Sequence, residues 1–373
     1  MDTILSRRTL IAGGLAAGGA LPALATSTTV APSAAAAFFG PSPGLAQLSR
    51  NENPYGPAPA AVQAMAEAAA KGCYYSDKAH ERLTAMIAER FGVTPDHVVI
   101  GSGSTEVLSA AALYFGSKGT ILAPELFWDT TVQYGERKGA KVQRVALAPD
   151  MGIDLPGLAA AVTPETALVH ICNPNNPTGM VLDGDQLRGF VKAVGPKATV
   201  LVDEAYNELT ERPDYSSVAA LVREGHNLIV CRTFSKIYGM AGLRVGYAIA
   251  QPEVAKLLSG YLMSFGGNSA GLAAAIASYD DVSFTRFSRE RILEARHMME
   301  GAVQKAGLSA LPSQANFLFV KVPDADALRA AMAERNIAIR GTYGTWRNWS
   351  RVSTGRIEDV RRYAEALPML VRA

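Results

Sequence analysis

The sequence predicts an α/β protein in which a large, mainly parallel sheet domain is joined to a smaller α+β domain. Between residues 97 and 250, short apolar runs alternate with amphipathic stretches of helical period. Such alternation indicates repeated βα units, with helices on both faces of a parallel sheet. A chain of 373 residues that is 49% hydrophobic can also bury more than one core.

The second domain is indicated by a change of pattern after about residue 270. Long helical stretches are followed there by a strand over 317–322, a helix over 324–335 and a closing helix from Ile357. This order is typical of an α+β unit. The predicted boundaries are 45–74 for an N-terminal segment that joins the small domain, 75–270 for the large domain and 271–373 for the small domain.

The first 25 residues are typical of an export signal. A basic start with the adjacent pair Arg7 and Arg8 precedes a short apolar stretch and an Ala-Leu-Ala end at Ala25. Adjacent arginines indicate the twin-arginine export machinery, which carries folded proteins. Residues 26–44, rich in Ala, Ser, Thr and Pro, are predicted to form a flexible tether. We therefore expect a periplasmic or secreted protein; the alternatives are an uncleaved membrane anchor and a misassigned start codon before a cytoplasmic enzyme.

A turn of small residues, Gly101-Ser-Gly-Ser-Thr105, lies between an apolar run and an alanine-rich helical stretch. Small residues that open a helix leave backbone N–H groups and hydroxyls free to bind an anion, and the helix dipole adds attraction. The turn therefore predicts one side of a phosphate site, although its composition also fits an ordinary connection.

Two further apolar strands end in polar residues. The strand over 167–172 is followed by the rigid turn Asn173-Pro-Asn-Asn-Pro-Thr-Gly179, which contains Asn176. The strand over 199–203 ends in Asp203, with Tyr206 three residues later. Open α/β sheets bind ligands at the carboxyl ends of such strands. The sequence therefore predicts a ligand site here, although a turn or helix-cap role also fits Asp203.

The run from Thr233 to Arg244, TFSKIYGMAGLR, places a lysine among residues suited to a cofactor aldehyde and phosphate. Ser235 and Arg244 can reach one phosphate, the arginine through its planar fork. Lys236 can attack an aldehyde only as a neutral amine, which a buried, cation-rich site favours. We predict that Lys236 carries pyridoxal 5'-phosphate (PLP) as a Schiff base, with Asp203 beside the ring nitrogen.

The motifs, in their order, resemble those of the fold-type-I PLP enzymes, aminotransferase classes I and II, and most closely the histidinol-phosphate aminotransferase-like branch. They cover nearly the whole chain after residue 45 and read NENPYG, GSGSTE, NPNNPTG, VDEAY, TFSKIYGMAGLRVGY and SRVSTG. The resemblance implies an aspartate aminotransferase-like fold, a PLP cofactor, an amino acid and a 2-oxo acid as substrates, and a homodimer.

The resemblance also implies a role for each motif residue. Those expected to hold the cofactor are Gly103, Ser104, Thr105, Ser235 and Arg244 at the phosphate, Asn176 and Tyr206 at the phenolic oxygen, Asp203 at the ring nitrogen and Lys236 at the aldehyde carbon. Lys236, Asp203 and Tyr206 are the predicted catalytic residues. Those expected to face the substrate are Asn53, Arg340 and Arg351. Tyr75 is expected to reach the cofactor phosphate of the partner subunit.

Three positions depart from the family's pattern. Phe127 and Trp128 follow Glu125-Leu126 without the usual Pro-x-Tyr spacing, so the aromatic that stacks on the cofactor ring is ambiguous, and we favour Trp128. Tyr75 is followed by serine where the family usually has proline, and Gly355 by arginine in place of threonine. These departures concern substrate choice more than the core chemistry.

The predicted activity is transamination with ping-pong kinetics, in which Arg351 holds the substrate carboxylate and Lys236 moves the α-proton. A PLP-dependent lyase or decarboxylase would use the same lysine and aspartate, so the sequence leaves it open. A non-catalytic exported binding protein is the other alternative, but it would not need an imine-forming lysine.

Composition gives no sign of other classes of function. The net charge is +2, and scattered basic residues do not indicate a nucleic-acid partner. Three cysteines and five histidines lack the spacing of metal ligands, so no metal is expected.

Overall fold

The structure, a computed structural model, describes residues 38–264 and 266–371. The predicted leader, residues 1–25, and residues 26–37 of the predicted tether lie outside these ranges. From Pro43 onward the described chain forms one unit, which contains every site residue predicted above.

The strands of the described chain form a seven-stranded sheet, a three-stranded sheet and a two-stranded pair. In chain order they are β1 (Ala46–Gln47), β2 (Val98–Gly101), β3 (Thr120–Pro124), β4 (Val142–Val145), β5 (Thr166–Cys172), β6 (Thr199–Asp203), β7 (Leu228–Thr233), β8 (Gly246–Ile249), β9 (Ser309–Ala310), β10 (Phe317–Lys321), β11 (Ile337–Ala338) and β12 (Trp349–Ser353).

The helices alternate with the strands of the large sheet and dominate the C-terminal third. In chain order they are α1 (Pro59–Ala69), α2 (Asp77–Phe91), α3 (Ser104–Gly116), α4 (Thr130–Glu136), α5 (Leu155–Ala160), α6 (Gly184–Val194), α7 (Pro213–Ser216), α8 (Ala220–Arg223), α9 (Pro252–Ser259), α10 (Ser269–Tyr279), α11 (Val282–Lys305), α12 (Ala325–Ala333) and α13 (Ile357–Val371). Within the described ranges, none combines the length and the apolar character that a membrane span requires.

The large sheet has the strand order β2-β8-β7-β6-β5-β3-β4. Strands β4, β3, β5, β6 and β7 are parallel to one another, whereas β8 runs antiparallel to both β2 and β7. The predicted α/β class with a mainly parallel sheet is therefore confirmed.

Helices cover both faces of this sheet because its central strands are apolar on both sides. On β6, Val200 and Val202 belong to the core that includes Leu187 of α6. The residue between them, Leu201, belongs to the opposite core with Leu108 of α3. This double burial is typical of parallel strands between two helical layers. Polar groups at the strand ends are therefore held on a rigid support.

The small domain has its own core, built on the antiparallel sheet β9-β10-β12. Leu318 and Val320 of β10 pack among the residues of α11 and α13. Because side chains alternate along a strand, Phe319 faces the other way, and it pairs in register with Arg351 of β12. The strand thus holds Arg351 on the face opposite the small-domain core.

Candidate active site

The predicted residues meet in a cavity of about 600 Å³ at the carboxyl ends of three parallel strands. Cys172, Asp203 and Thr233, the last residues of β5, β6 and β7, all contribute to its wall. This is the edge at which open α/β sheets bind ligands. The predicted residues that line it are Ser104, Thr105, Trp128, Asn176, Asp203, Tyr206, Ser235, Lys236, Arg244, Arg340 and Arg351.

Lys236 lies three residues beyond β7 and extends its amine into the cavity. Its Nζ donates a hydrogen bond to the Asn51 carbonyl at 3.2 Å and lies 5.4 Å from the centre of the Tyr206 ring. Burial lowers the pKa of the Lys236 amine to about 8, and the positive charge of Arg351 acts in the same direction. A substantial fraction of the amine is therefore neutral near pH 8 and able to attack an aldehyde.

Asp203 is buried, and its carboxylate receives little compensation from its surroundings. It accepts a hydrogen bond from the Ala205 backbone N–H at 3.2 Å, and no described cation forms an ion pair with it within 4.0 Å. Burial raises the pKa of Asp203 from 3.8 to about 7. A cationic ligand beside this carboxylate would supply the missing charge.

The Tyr206 hydroxyl lies at the centre of a hydrogen-bonded group of amides. It accepts from the side-chain N–H groups of Asn51 at 3.0 Å and Asn176 at 3.4 Å. The carbonyl oxygen of the Asn176 side chain accepts from Nη1 of Arg351 at 2.7 Å. The large sheet, the N-terminal segment and the small-domain sheet therefore each contribute to this group.

Two arginines from the small domain line the cavity. The guanidinium carbons of Arg340 and Arg351 lie 5.3 and 5.4 Å from the centre of the Tyr343 ring. Arg351 is buried and also donates to the Ser49 carbonyl at 2.8 Å, whereas Arg340 is exposed. Nε of Arg351 has no hydrogen-bond partner among the described residues. The arrangement can bind an anionic group of a substrate.

The turn before α3, together with Ser235 and Arg244, forms a cup suited to a phosphate. Helix α3 begins at Ser104, after Gly103 in a positive-φ conformation, and none of the described side chains caps its first turn. Nη1 of Arg244 donates to the Ser235 hydroxyl at 3.4 Å. A Cβ atom on Gly103 would lie 2.1 Å from Nη2 of Arg244. The φ of 72° at Gly103 favours glycine, and a side chain here would also push the end of Arg244 aside.

The two aromatic candidates both line the cavity. Phe127 is only 4% exposed and makes an edge-on contact with His170, their ring centres 5.2 Å apart. Trp128 is more exposed and packs partly against the core on the α3 side of the sheet. Stacking of Trp128 on the cofactor ring remains a prediction.

The structure places Asn53 outside the cavity, which corrects its predicted role as a substrate-facing residue. Its side-chain amide donates to the Ile237 carbonyl at 2.9 Å and to the Ser288 hydroxyl. Asn51, two residues earlier in the same motif, lines the cavity instead. Asn51 has a positive φ of 56°, which asparagine tolerates better than most residues, but Asn53 shares that tolerance, so the sequence does not distinguish the two.

Tyr75 also lies outside the cavity of its own subunit. It is 78% exposed and contributes to a separate hollow with His80, Glu106 and Met263. This position agrees with a residue that acts on another subunit, but it does not test that assignment. The role of Tyr75 remains a prediction.

The residues of the cavity fit PLP in charge and in hydrogen-bonding capacity. The uncapped start of α3, Ser235 and Arg244 suit its phosphate. The uncompensated carboxylate of Asp203 suits a protonated ring nitrogen. The Lys236 amine suits the aldehyde. The cavity therefore supplies a complementary group for each polar end of the cofactor.

Comparison with known proteins gives an independent test. Residues 43–367 match the family described as aminotransferase class I and II. Histidinol-phosphate aminotransferase 2 from Ralstonia nicotianae is 39% identical over 324 residues, which are 84% of this chain and 86% of that protein. The histidinol-phosphate aminotransferase from Symbiobacterium thermophilum is 37% identical over 327 residues, 87% of this chain and 90% of that protein.

Solved structures show the same fold. The complex of histidinol-phosphate aminotransferase from Sinorhizobium meliloti with pyridoxal-5'-phosphate has a TM-score of 0.81 at 29% identity, covering 88% of this chain and 91% of that chain. A double mutant of aspartate aminotransferase from Thermus thermophilus has a TM-score of 0.78 at 21% identity, with coverage of 88% and 92%. The predicted aspartate aminotransferase-like fold is confirmed.

Proposed function

The chain belongs to the aminotransferase class I and II family, and we propose that its amino donor is an anionic amine of the histidinol phosphate kind. The protein is a PLP-dependent transaminase that moves an amino group between its donor and a 2-oxo acid. Bound PLP supplies an aldehyde that captures the donor amine and a ring that accepts electrons from the α-carbon. The observation that supports this donor is the pair of arginines, Arg340 and Arg351, beside the Tyr343 ring.

Lys236 acts as the base that moves the α-proton. Lys236 would hold bound PLP through this amine until a donor amine takes its place, and in the structure the amine donates a hydrogen bond to the Asn51 carbonyl. Burial lowers the pKa of the Lys236 amine to about 8, so part of it is neutral near that pH and would be able to move the proton from the α-carbon to the former aldehyde carbon. Lys236 therefore serves both as covalent anchor and as proton carrier.

Asp203 and Tyr206 control charge at two ends of the cofactor. The buried Asp203 carboxylate would hold a proton on the ring nitrogen of bound PLP, because no described cation forms an ion pair with it within 4.0 Å. The Tyr206 hydroxyl, with Asn176, binds at the phenolic oxygen. These contacts favour electron flow from the α-carbon into the ring.

Arg351 and Arg340 select anionic substrates. Arg351 is fixed by Asn176 and Ser49, so it presents a rigid cation to a carboxylate or phosphate. Arg340 adds a second positive charge at the same aromatic ring. Both half-reactions use this single cavity, so the second substrate enters after the first product leaves, which gives ping-pong kinetics.

The test is an amino-donor screen with 2-oxoglutarate as acceptor. We expect kcat/KM for histidinol phosphate to exceed that for histidinol by about 10- to 100-fold, because a hydrogen bond to a charged group contributes roughly 1.5–3 kcal/mol. Arg340→Gln should lower this ratio. Arg347→Gln is the matched control, because Arg347 is exposed nearby and does not line the cavity.

Two results would contradict the proposal. Equal rates with and without the phosphate, or a clear preference for a neutral amino acid, would overturn the assigned donor. A decarboxylated amine formed without amino transfer would instead support the lyase or decarboxylase alternative.

We also propose that the active unit is a homodimer in which Tyr75 serves the partner subunit's cofactor. The exposure of Tyr75 and Tyr74, at 78% and 74%, supports this proposal. Subunits carrying only Tyr75→Phe, mixed with subunits carrying only Lys236→Ala, should form heterodimers with one intact site. Activity should rise with heterodimer content. A fully active monomer, or no rescue after verified subunit exchange, would contradict the shared site.

We further propose that the leader, residues 1–25, directs export by the twin-arginine machinery. The support is the sequence pattern of residues 1–25, with Arg7 and Arg8 before an apolar stretch. Replacing both arginines by lysine should leave the enzyme inside the cell, whereas the natural chain should appear outside the inner membrane. Equal distribution of both proteins between cell fractions would contradict this assignment.

A further inference from the structure

Asn51 connects the catalytic lysine to the cofactor-facing tyrosine. Its backbone carbonyl accepts from Lys236 Nζ at 3.2 Å and from the Asn316 side chain at 3.0 Å. Its side-chain N–H donates to the Tyr206 hydroxyl at 3.0 Å. Its backbone N–H donates to the Ser353 hydroxyl at 2.9 Å. Asn51 is 1% exposed, so it acts entirely within the protein.

The two amides at Tyr206 both present an N–H group to its hydroxyl. Arginine can only donate, so the atom of Asn176 that faces Arg351 at 2.7 Å is its oxygen, and its N–H group faces Tyr206. The Ser353 hydroxyl donates its single proton to Oδ1 of Asn51 at 2.6 Å. In the structure the N–H group of Asn51 faces Tyr206, at 3.0 Å from its hydroxyl.

A tyrosine hydroxyl has two acceptor positions and one proton. Because Asn51 and Asn176 occupy both acceptor positions, the proton is left to point away from them. We propose that Asn51 is a positioning residue that directs the Tyr206 hydroxyl proton toward the phenolic oxygen of bound PLP. This role rests on the proposed function, because it concerns the same cofactor.

The backbone of Asn51 explains how one residue serves both groups. Its φ of 56° lies in the left-handed region, where asparagine is one of the few side chains that fit without large strain. This conformation lets the carbonyl reach Lys236 while the side chain reaches Tyr206 and Ser353. Most other side chains at this position would lose the backbone geometry as well as the amide.

The experiment is a pH titration of the visible absorbance of the PLP-loaded enzyme, without substrate. A hydrogen bond donated to the phenolic oxygen stabilises its anionic form, so its loss raises the pH of the transition. Asn51→Gly keeps the positive φ and removes the donor. We expect it to raise the midpoint by about 0.5–1 pH unit, and Tyr206→Phe to raise it at least as much.

The double variant Asn51→Gly/Tyr206→Phe decides whether Asn51 acts through the hydroxyl. If it does, the double variant has the midpoint of Tyr206→Phe alone. The charged or titratable neighbours of the hydroxyl, Arg351, Asp203, Cys172 and Lys236, are present in all four proteins. Asn336→Gly is the matched control, because Asn336 is exposed and has φ of 55°; its midpoint should equal that of the natural enzyme.

Additive shifts in the double variant, or no shift in Asn51→Gly, would overturn the role of Asn51. If Asn51→Gly does not fold, Asn51→Ala replaces it, because alanine also removes the donor and adds no charge beside Lys236. The same non-additivity with Tyr206→Phe is then expected, and its absence overturns the proposal. If the natural protein binds no PLP, the proposed function itself is wrong. This result differs from a failure of the Asn51 role, in which PLP binds but the midpoints do not behave as expected.

Discussion

The buried carboxylate of Asp203 should make the cofactor-free protein less stable as the pH rises. Burial raises the pKa of Asp203 from 3.8 to about 7. Between these two values the folded protein binds more protons at this site than the unfolded chain, so the free energy of unfolding falls with increasing pH. The stability associated with the protonated group is fully present below about pH 4 and is lost as the pH rises through about 7.

The size of the effect follows from the difference between the two pKa values. At about 1.4 kcal/mol for each pKa unit, the ionised Asp203 lowers the free energy of unfolding by about 4 kcal/mol at pH 8. Asp203→Asn removes the ionisation while keeping the shape of the side chain. The variant without PLP should therefore be more stable than the natural protein at pH 8, by up to about 4 kcal/mol, and the two should converge near pH 4.

The assay is urea denaturation of both proteins without PLP at several pH values. Asp214→Asn is the control, since Asp214 is an exposed carboxylate on α7. Added PLP should then stabilise the natural protein more than Asp203→Asn, because only the carboxylate can pair with a protonated ring. A gain that is the same at pH 4 and pH 8, or no gain at pH 8, would refute the reasoning.

Three further predictions concern other parts of the site. Lys236→Ala should reduce turnover by more than the roughly 10²- to 10⁴-fold typical of losing acid-base help alone, with an unchanged circular dichroism spectrum, because anchor and base are lost together; near-native turnover would disprove its role. Arg351→Lys should lower kcat/KM by about 10- to 100-fold, since the planar fork is lost; unchanged steady-state kinetics would exclude it as the substrate clamp. Gly103→Ala should weaken PLP binding by about tenfold or more, because the new Cβ displaces Arg244; an unchanged dissociation constant for PLP would contradict this.

Much of the site could be predicted because each key residue follows a strand. Asp203 ends β6, Asn176 lies shortly after β5 and Lys236 shortly after β7. In a parallel sheet these strand ends share one edge, so the spacing of motifs along the chain already predicts that they meet. The cofactor could be predicted for the same reason, because a lysine, a carboxylate and an anion cup converge there.

The roles of Asn51 and Asn53 could not be separated from the sequence. Both are buried asparagines in one motif, and no periodicity of apolar and polar residues distinguishes them. The difference arises from the backbone, since the positive φ of Asn51 directs it into the cavity. Asn53 contacts Ser288 of α11, which lies 235 residues further along the chain. Such a distant contact leaves no local signal in the sequence.

The long reach of the contacts around Asn51 also has a consequence for synthesis of the protein. Asn51 and Ser353 are 302 residues apart, and Asn176 and Arg351 are 175 apart. Contacts between such distant segments form late, because closing long loops is entropically unfavourable. A growing chain therefore contains Lys236 well before β12 has emerged to complete the cavity. The arginine assigned to the substrate, Arg351, is thus the last part of the cavity to be synthesised, after all the residues assigned to the cofactor.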